Sequence, residues 1–210
     1  EGRPHIDYGG ALLVTGAAVL VLWALVDVTH WPGWLALAMA GGLVAVLIRV
    51  ERRSADAILP LPVFAWRFFV MAVLHSLVTG WILNGVTAYV PLYVQQVQGR
   101  TAMEAGASLT PLLFSWVLAS VVSARMLLRM GYRWPVMFGM ALVVLGSLPL
   151  IGLERGRHWG YLWGSMVVMG TGFGFTVPPI FIALQMQVER KYMGAATSML
   201  QFARNMGGSV

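Results

Sequence analysis

The stretch Gly170 to Pro179, GTGFGFTVPP, admits two readings. Alternating glycines open phosphate-binding loops, where a strand precedes them and the free N–H groups of a helix N-terminus point at the anion. Small residues also let helix backbones approach one another inside lipid. The surroundings decide between them. Gly170, Gly172 and Gly174 lie within an apolar block running from about Tyr161 to Gln187, with no strand before them. Phe175 stands where the dinucleotide spacing needs its next glycine. The spacing therefore predicts close helix packing within a membrane span.

The rest of the chain repeats that pattern. Of 210 residues, 59% are hydrophobic and 10% charged, and the mean hydropathy is +0.76. Soluble domains carry roughly 25% charged residues. The apolar residues gather into blocks of about 18 to 30, each long enough to cross a hydrocarbon core roughly 30 Å thick. The expected fold is all-α, a polytopic helical bundle in the lipid bilayer with six spans and a partial seventh. The spans begin near Gly9, Gly33, Phe68, Ala107 and Tyr161, with the fifth running from the basic turn RMGYRWP to near Leu153, and the partial one lies in MGAATSMLQFARNMGGSV. ERRSADAILPLPVFAWR, Glu51 to Arg67, carries charges and two of the prolines and reads as a surface loop between an early helix pair and a larger bundle.

A net charge of +6 and a pI near 10.3 raise the question of nucleic acid. The basic residues form no run and lack the interleaved aromatics that stack bases, so no nucleic-acid partner is expected. They sit in short loops and set the orientation instead. With the N-terminal end cytoplasmic, that side holds Arg3, Arg49, Arg52, Arg53, Arg67, Arg125, Arg129, Arg133, Arg190 and Lys191, whereas the other holds Arg100, Arg155 and Arg157. Cysteine is absent, which excludes disulfides and thiol chemistry. The chain opens on EGRPHIDYGG, without Met or a signal-peptide pattern, and closes partway through an apolar stretch. Both ends suggest a piece of a larger protein.

Polar groups inside spans are the candidates for function. Ser76, Gly80, Asn84, Thr87, Pro91 and Gln95 fall within about 100° of one another on a helix, making one small or polar face. That face either looks into an aqueous cavity or bonds neighbouring helices. Pro178 and Pro179 interrupt the sixth span beside Thr171, Thr176 and Gln185, as a functional bend or an inert kink. His75 is a possible proton site, with an incidental, solvated role as the alternative. Arg204, about ten residues into the last stretch, needs carbonyls, an acid or water.

Several phrases carry a resemblance. IDYGGALL, LPLPVFAWRFF, VPLYVQQVQGRTAMEAGASLTPLLF and MGAATSMLQFARNMGGSV, in this order and spacing, resemble the major facilitator superfamily, and within it the fourteen-span drug:proton antiporters of the EmrB/QacA type. The resemblance implies a central linker pair over 1–50, a cytoplasmic amphipathic loop over 51–66, and a partial C-terminal six-helix bundle over 67–210. It also implies a missing N-terminal half that holds the proton-coupling carboxylates, and a bacterial inner membrane location. ARMLLRMGYR resembles the family's gating motif, matching it at Arg129, Gly131 and Arg133; Ala124 replaces its first glycine and Leu128 its acid.

The function so implied is proton-driven export of amphipathic or cationic compounds. Ser76, Asn84, Thr87, Gln95, Thr171 and Gln185 would line the substrate cavity, while Arg129, Gly131, Arg133, the three glycines, both prolines and Arg204 would serve gating or packing. Alternatives are a major facilitator transporter for a metabolite, siderophore or lipid, or a non-transporting scaffold subunit. An enzyme is not expected, for there is no cysteine nucleophile and no His-Glu-x-x-His pattern. Neither a cofactor nor a metal is expected.

Overall fold

The computed structural model describes residues 66–152 and 159–209, with a few isolated positions between 15 and 46. Apart from those positions, the first two expected spans lie outside the described residues, as do 51–65 and 153–158. The expected division at residue 50 lies there too.

Thirty residues without an acid form α1, Arg67–Gln96. At about 1.5 Å per residue this is about 45 Å of helix, enough to span a bilayer with its interfaces. Gly99, with φ of 66°, ends the turn that follows. A capping box then starts the short α2, Ala102–Ala107: the Thr101 hydroxyl accepts from the Glu104 N–H, and the Glu104 carboxylate accepts from the Thr101 N–H at 3.0 Å. Arg100 reaches the same carboxylate at 2.9 Å and lies over the Trp159 ring, linking this end of α1 to the start of a later helix.

Pro111 occupies the first turn of α3, Thr110–Met130, where its missing N–H costs nothing. Gly131 ends it with φ 74° and ψ 179°, a backbone region almost restricted to glycine. The helix α4, Arg133–Ile151, turns back from there. Next come α5, Trp159–Gln187, a 3₁₀ turn at Arg190–Tyr192, and α6, Met193–Gly207. Among the described residues there is no strand, and α1, α2–α3, α4 and α5 are each long and apolar enough to cross a membrane.

The centre of the bundle is α5. Of its most apolar window 61% is buried, against 22% to 33% in the other three. Both α3 and α4 pack along it, whereas α1 packs chiefly on α6. The other faces of α3 and α4 expose Leu113, Val117, Val121, Met137, Val144 and Leu145. In water such a surface would aggregate; in a bilayer it meets the acyl chains.

The GTGFG segment explains why α5 has two partners. A Cβ on Gly170 would overlap the Leu112 carbonyl and Ser115 Oγ of α3, and one on Gly174 would lie 2.6 Å from Ala119 Cβ and the Trp116 carbonyl of the same helix. Gly172, on the opposite side, meets the Gly139 carbonyl and Val143 of α4. Spacing of four turns one pair of glycines toward α3, and the middle glycine faces α4. Two hydroxyls tie the same helices: Ser123 of α3 donates to the Gly174 carbonyl at 2.7 Å, and Ser165 of α5 donates to the Gly146 carbonyl of α4. Such bonds contribute roughly 0.6 kcal/mol each in membrane bundles.

Candidate functional site

The polar face of α1 divides along its length. Ser76 and Gly80 are buried against the neighbouring helix rather than facing open space. A Cβ on Gly80 would overlap the Arg204 carbonyl, and one on Gly207 would overlap the Leu77 carbonyl, so α1 and α6 touch backbone to backbone. Thr79 takes no part in a cavity; its hydroxyl donates to the His75 carbonyl at 2.8 Å. Higher on the face the seam opens.

There a cavity of about 540 Å³ is lined by Trp81, Asn84, Thr87 and Tyr89 of α1 and by Gly208 and Ser209 beyond the end of α6. Its lining is half polar. Asn84 donates to the Gly80 carbonyl at 3.0 Å, which leaves its amide oxygen free to accept, and Thr87 donates to the Asn84 carbonyl at 3.2 Å. Pro91 has no N–H for the Thr87 carbonyl four residues earlier, so the same turn carries an acceptor without its helical donor. Ser209 donates to the Asn205 carbonyl at 3.0 Å. This wall of acceptors between two aromatic rings can hold an amphipathic cation or a hydrogen-bond donor.

A larger groove, about 760 Å³, runs between α3 and α5 along Phe114, Leu118, Val122, Trp163, Val167 and Phe175. Its lining is apolar. Thr171 belongs to this groove, and its hydroxyl is turned onto the Val167 carbonyl at 2.8 Å. The two spaces differ in chemistry, and only the smaller offers directional partners.

The six residues expected to share one cavity are thus not brought together. Asn84 and Thr87 line the half-polar space, Thr171 the apolar groove, and Ser76 is packed in the bundle. Gln95 is exposed at the far end of α1, as is Gln185 near the end of α5. Sequence reasoning passed over Trp81, Tyr89 and Ser209. The aromatics sit at positions 81 and 89, either side of Asn84, and flanking aromatics are the signal that could have found them.

His75 lies one turn below Thr79, and its buried Nε2 has no hydrogen-bond partner among the described residues. Arg204 stands level with Gly80, near the middle of α1. Its Nη2 donates to Gln201 Oε1 at 3.1 Å, and Gln201 Nε2 reaches Asn205 Oδ1 at 3.5 Å. The helices α1, α3, α4, α5 and α6 contain no Asp or Glu, so among them an amide oxygen stands where an acid would be expected. Arg129 and Arg133 are exposed on either side of Gly131, and Leu128 is 77% exposed. Arg129 sits in the last turn of α3, where its charge complements the helix C-terminus. Both prolines lie within the continuous helix α5, Pro178 half-buried and Pro179 buried.

Residues 8–210 match the Major Facilitator Superfamily. The chain belongs to that superfamily. Among curated relatives, it is 27% identical over 183 residues to the multidrug transporter protein MdtP of Bacillus subtilis, covering 85% of this chain and 34% of the relative. It is 26% identical to the efflux pump dotC of Dothistroma septosporum, over 100% of this chain and 37% of that one. With multidrug resistance protein 3 of Bacillus subtilis the identity is 24%, over 98% and 41%. The chain therefore spans between about a third and two fifths of these relatives' length. By that membership and by its long apolar helices the chain is a multi-pass membrane segment of the major facilitator type.

Proposed function

We propose that this major facilitator chain belongs to a proton-driven multidrug exporter of the fourteen-span type, in a bacterial inner membrane, and that Asn84 and Thr87 contact its cargo. The observation that carries the reading is the half-polar cavity between α1 and α6, open beside two aromatic rings. An amphipathic cation would place its apolar part on Trp81 or Tyr89 and its charge by the ring faces and carbonyl oxygens. The efflux pumps among the relatives support export as the direction of transport.

Residues 67–210 would form most of the C-terminal half, and the remainder of the protein would supply the other wall of the cavity. Proton coupling would reside there too, because the spanning helices described here hold no carboxylate. The cytoplasmic side would be the end bearing Arg67, Arg129, Arg133 and Arg190, with Arg100 at the other.

Cells expressing the full-length transporter should extrude ethidium, a cationic probe, when energised, and an uncoupler should stop them. Asn84→Ala and Thr87→Ala should each raise the half-saturating ethidium concentration roughly three- to tenfold, the loss of one hydrogen bond or ring-side contact. Unchanged efflux in both variants would remove the cavity from the transport path. Ethidium retention by energised cells with the unmodified protein would contradict multidrug export itself.

A further inference from the structure

Pro178 cannot donate to the carbonyl of Gly174, four residues earlier, and its ring pushes against that carbonyl. The acceptor so released lies in a buried stretch of α5, where an unsatisfied carbonyl is costly. It also lies at a close approach to α3, since Trp116 and Ala119 leave no room for a side chain at 174. Ser123, 0% exposed on α3, points its hydroxyl there, Oγ to carbonyl oxygen 2.7 Å.

The same Oγ lies 3.0 Å from the Ser120 carbonyl on its own helix. A serine hydroxyl carries one proton and so serves one of these carbonyls at a time. Donated to Gly174, the proton ties the proline-interrupted turn of α5 to α3. Donated to Ser120, it is used within α3, and the Gly174 carbonyl must turn to another donor or to water by changing the bend.

We propose that Ser123 is a positioning residue of the transport cycle, its hydroxyl alternating between the Gly174 and Ser120 carbonyls and so selecting between two bends of α5 at Pro178. This rests on the reading of the chain as part of a transporter. Ser123 touches no cargo: it acts through α5, whose later turns pack against Phe69 and Ala72 of α1 through Ile180 and Leu184. A change of bend thereby reaches the helix that carries Asn84 and Thr87.

The test uses the full-length transporter in liposomes, with spin labels on Leu128→Cys and Met186→Cys, exposed positions beyond the Ser123–Gly174 contact on α3 and α5. Pulsed spin-resonance should resolve two separations, and Ser123→Ala should change their ratio roughly two- to tenfold, the range for one hydrogen bond. Pro178→Ala restores an N–H for the Gly174 carbonyl, so in that background Ser123→Ala should have no effect. Ser123→Gly, which likewise lacks the hydroxyl and adds no thiol for the label, gives the same reading where the alanine variant does not insert. Maximal ethidium efflux should fall in step, with the half-saturating concentration unchanged.

A single separation in the unmodified protein would overturn the proposal. So would a Ser123→Ala distribution equal to the parent's, or an equal shift with and without Pro178. The separations are read without cargo, so their failure is distinct from a failure of energised efflux, which would count against the exporter reading alone.

Discussion

Gly170→Ala is expected to cost the folded transporter about 3 kcal/mol, the upper part of the range for overpacking a tight core. The reason is the identity of the obstacle. The new methyl would overlap the Leu112 carbonyl and Ser115 Oγ, and a helix backbone cannot rotate aside as a side chain does. Relief requires α3 to move away from α5, which also loosens Gly174 and stretches the Ser123 bond. Gly164→Ala, on the same helix, is the control: nothing lies within 4 Å of its Cβ position, and alanine is the better helix former by roughly 1 kcal/mol. Thermal unfolding of the purified protein in detergent should separate the two variants clearly. Equal melting temperatures would mean that the α3–α5 contact is not tight.

Gly80→Ala should be nearly as damaging, at about 2 to 3 kcal/mol, and should also abolish most efflux. Its methyl would fall on the carbonyl of Arg204, on the seam that seats α6 against α1. Opening that seam moves Gly208 and Ser209 away from Asn84 and dismantles one wall of the half-polar cavity. Gly164→Ala, away from that cavity and with nothing within 4 Å of its Cβ position, should lower neither stability nor efflux. Thermal unfolding and ethidium efflux measured on the same pair of variants check this. Matching behaviour of the two would show that the cavity does not depend on the seam.

Much of this was legible in the chain because lipid removes alternatives. Every backbone polar group must be bonded internally, so long apolar blocks become helices, and α1, α3, α4 and α5 follow the expected third to sixth spans within a few residues. The fourth span is entered differently: Thr101 and Glu104 cap a separate short helix before Pro111, a capping signature readable in TAME. Glycine spacing likewise implied close contact at 170, 172 and 174, although only the structure assigns 170 and 174 to α3 and 172 to α4.

The cavity was harder to read. A helical wheel groups Ser76 with Asn84 and Thr87, since it knows the angle around α1 but not that α6 lies against the first part of that face and ends before the second. The resemblance adds Thr171 and Gln185 to that set as polar residues of the sixth span. Thr171 instead bonds its own backbone, which hides a hydroxyl from lipid without any cavity. Ser123 shows the same limit from the other side. Pro178 announces a freed carbonyl at Gly174, but the donor comes from 51 residues away. No local pattern names it.

Cargo in the half-polar cavity between α1 and α6 would shield the residues that line it from solvent. The described chain contains no cysteine, so single thiols can be introduced at Asn84→Cys, Ser209→Cys and, in the apolar groove, Val167→Cys. Labelling by a water-soluble maleimide would be timed on the full-length transporter with and without ethidium. Slower labelling at 84 and 209, with no change at 167, is expected for cargo held in that cavity. Protection at 167 with none at 84 or 209 would contradict it and move the cargo to the groove between α3 and α5.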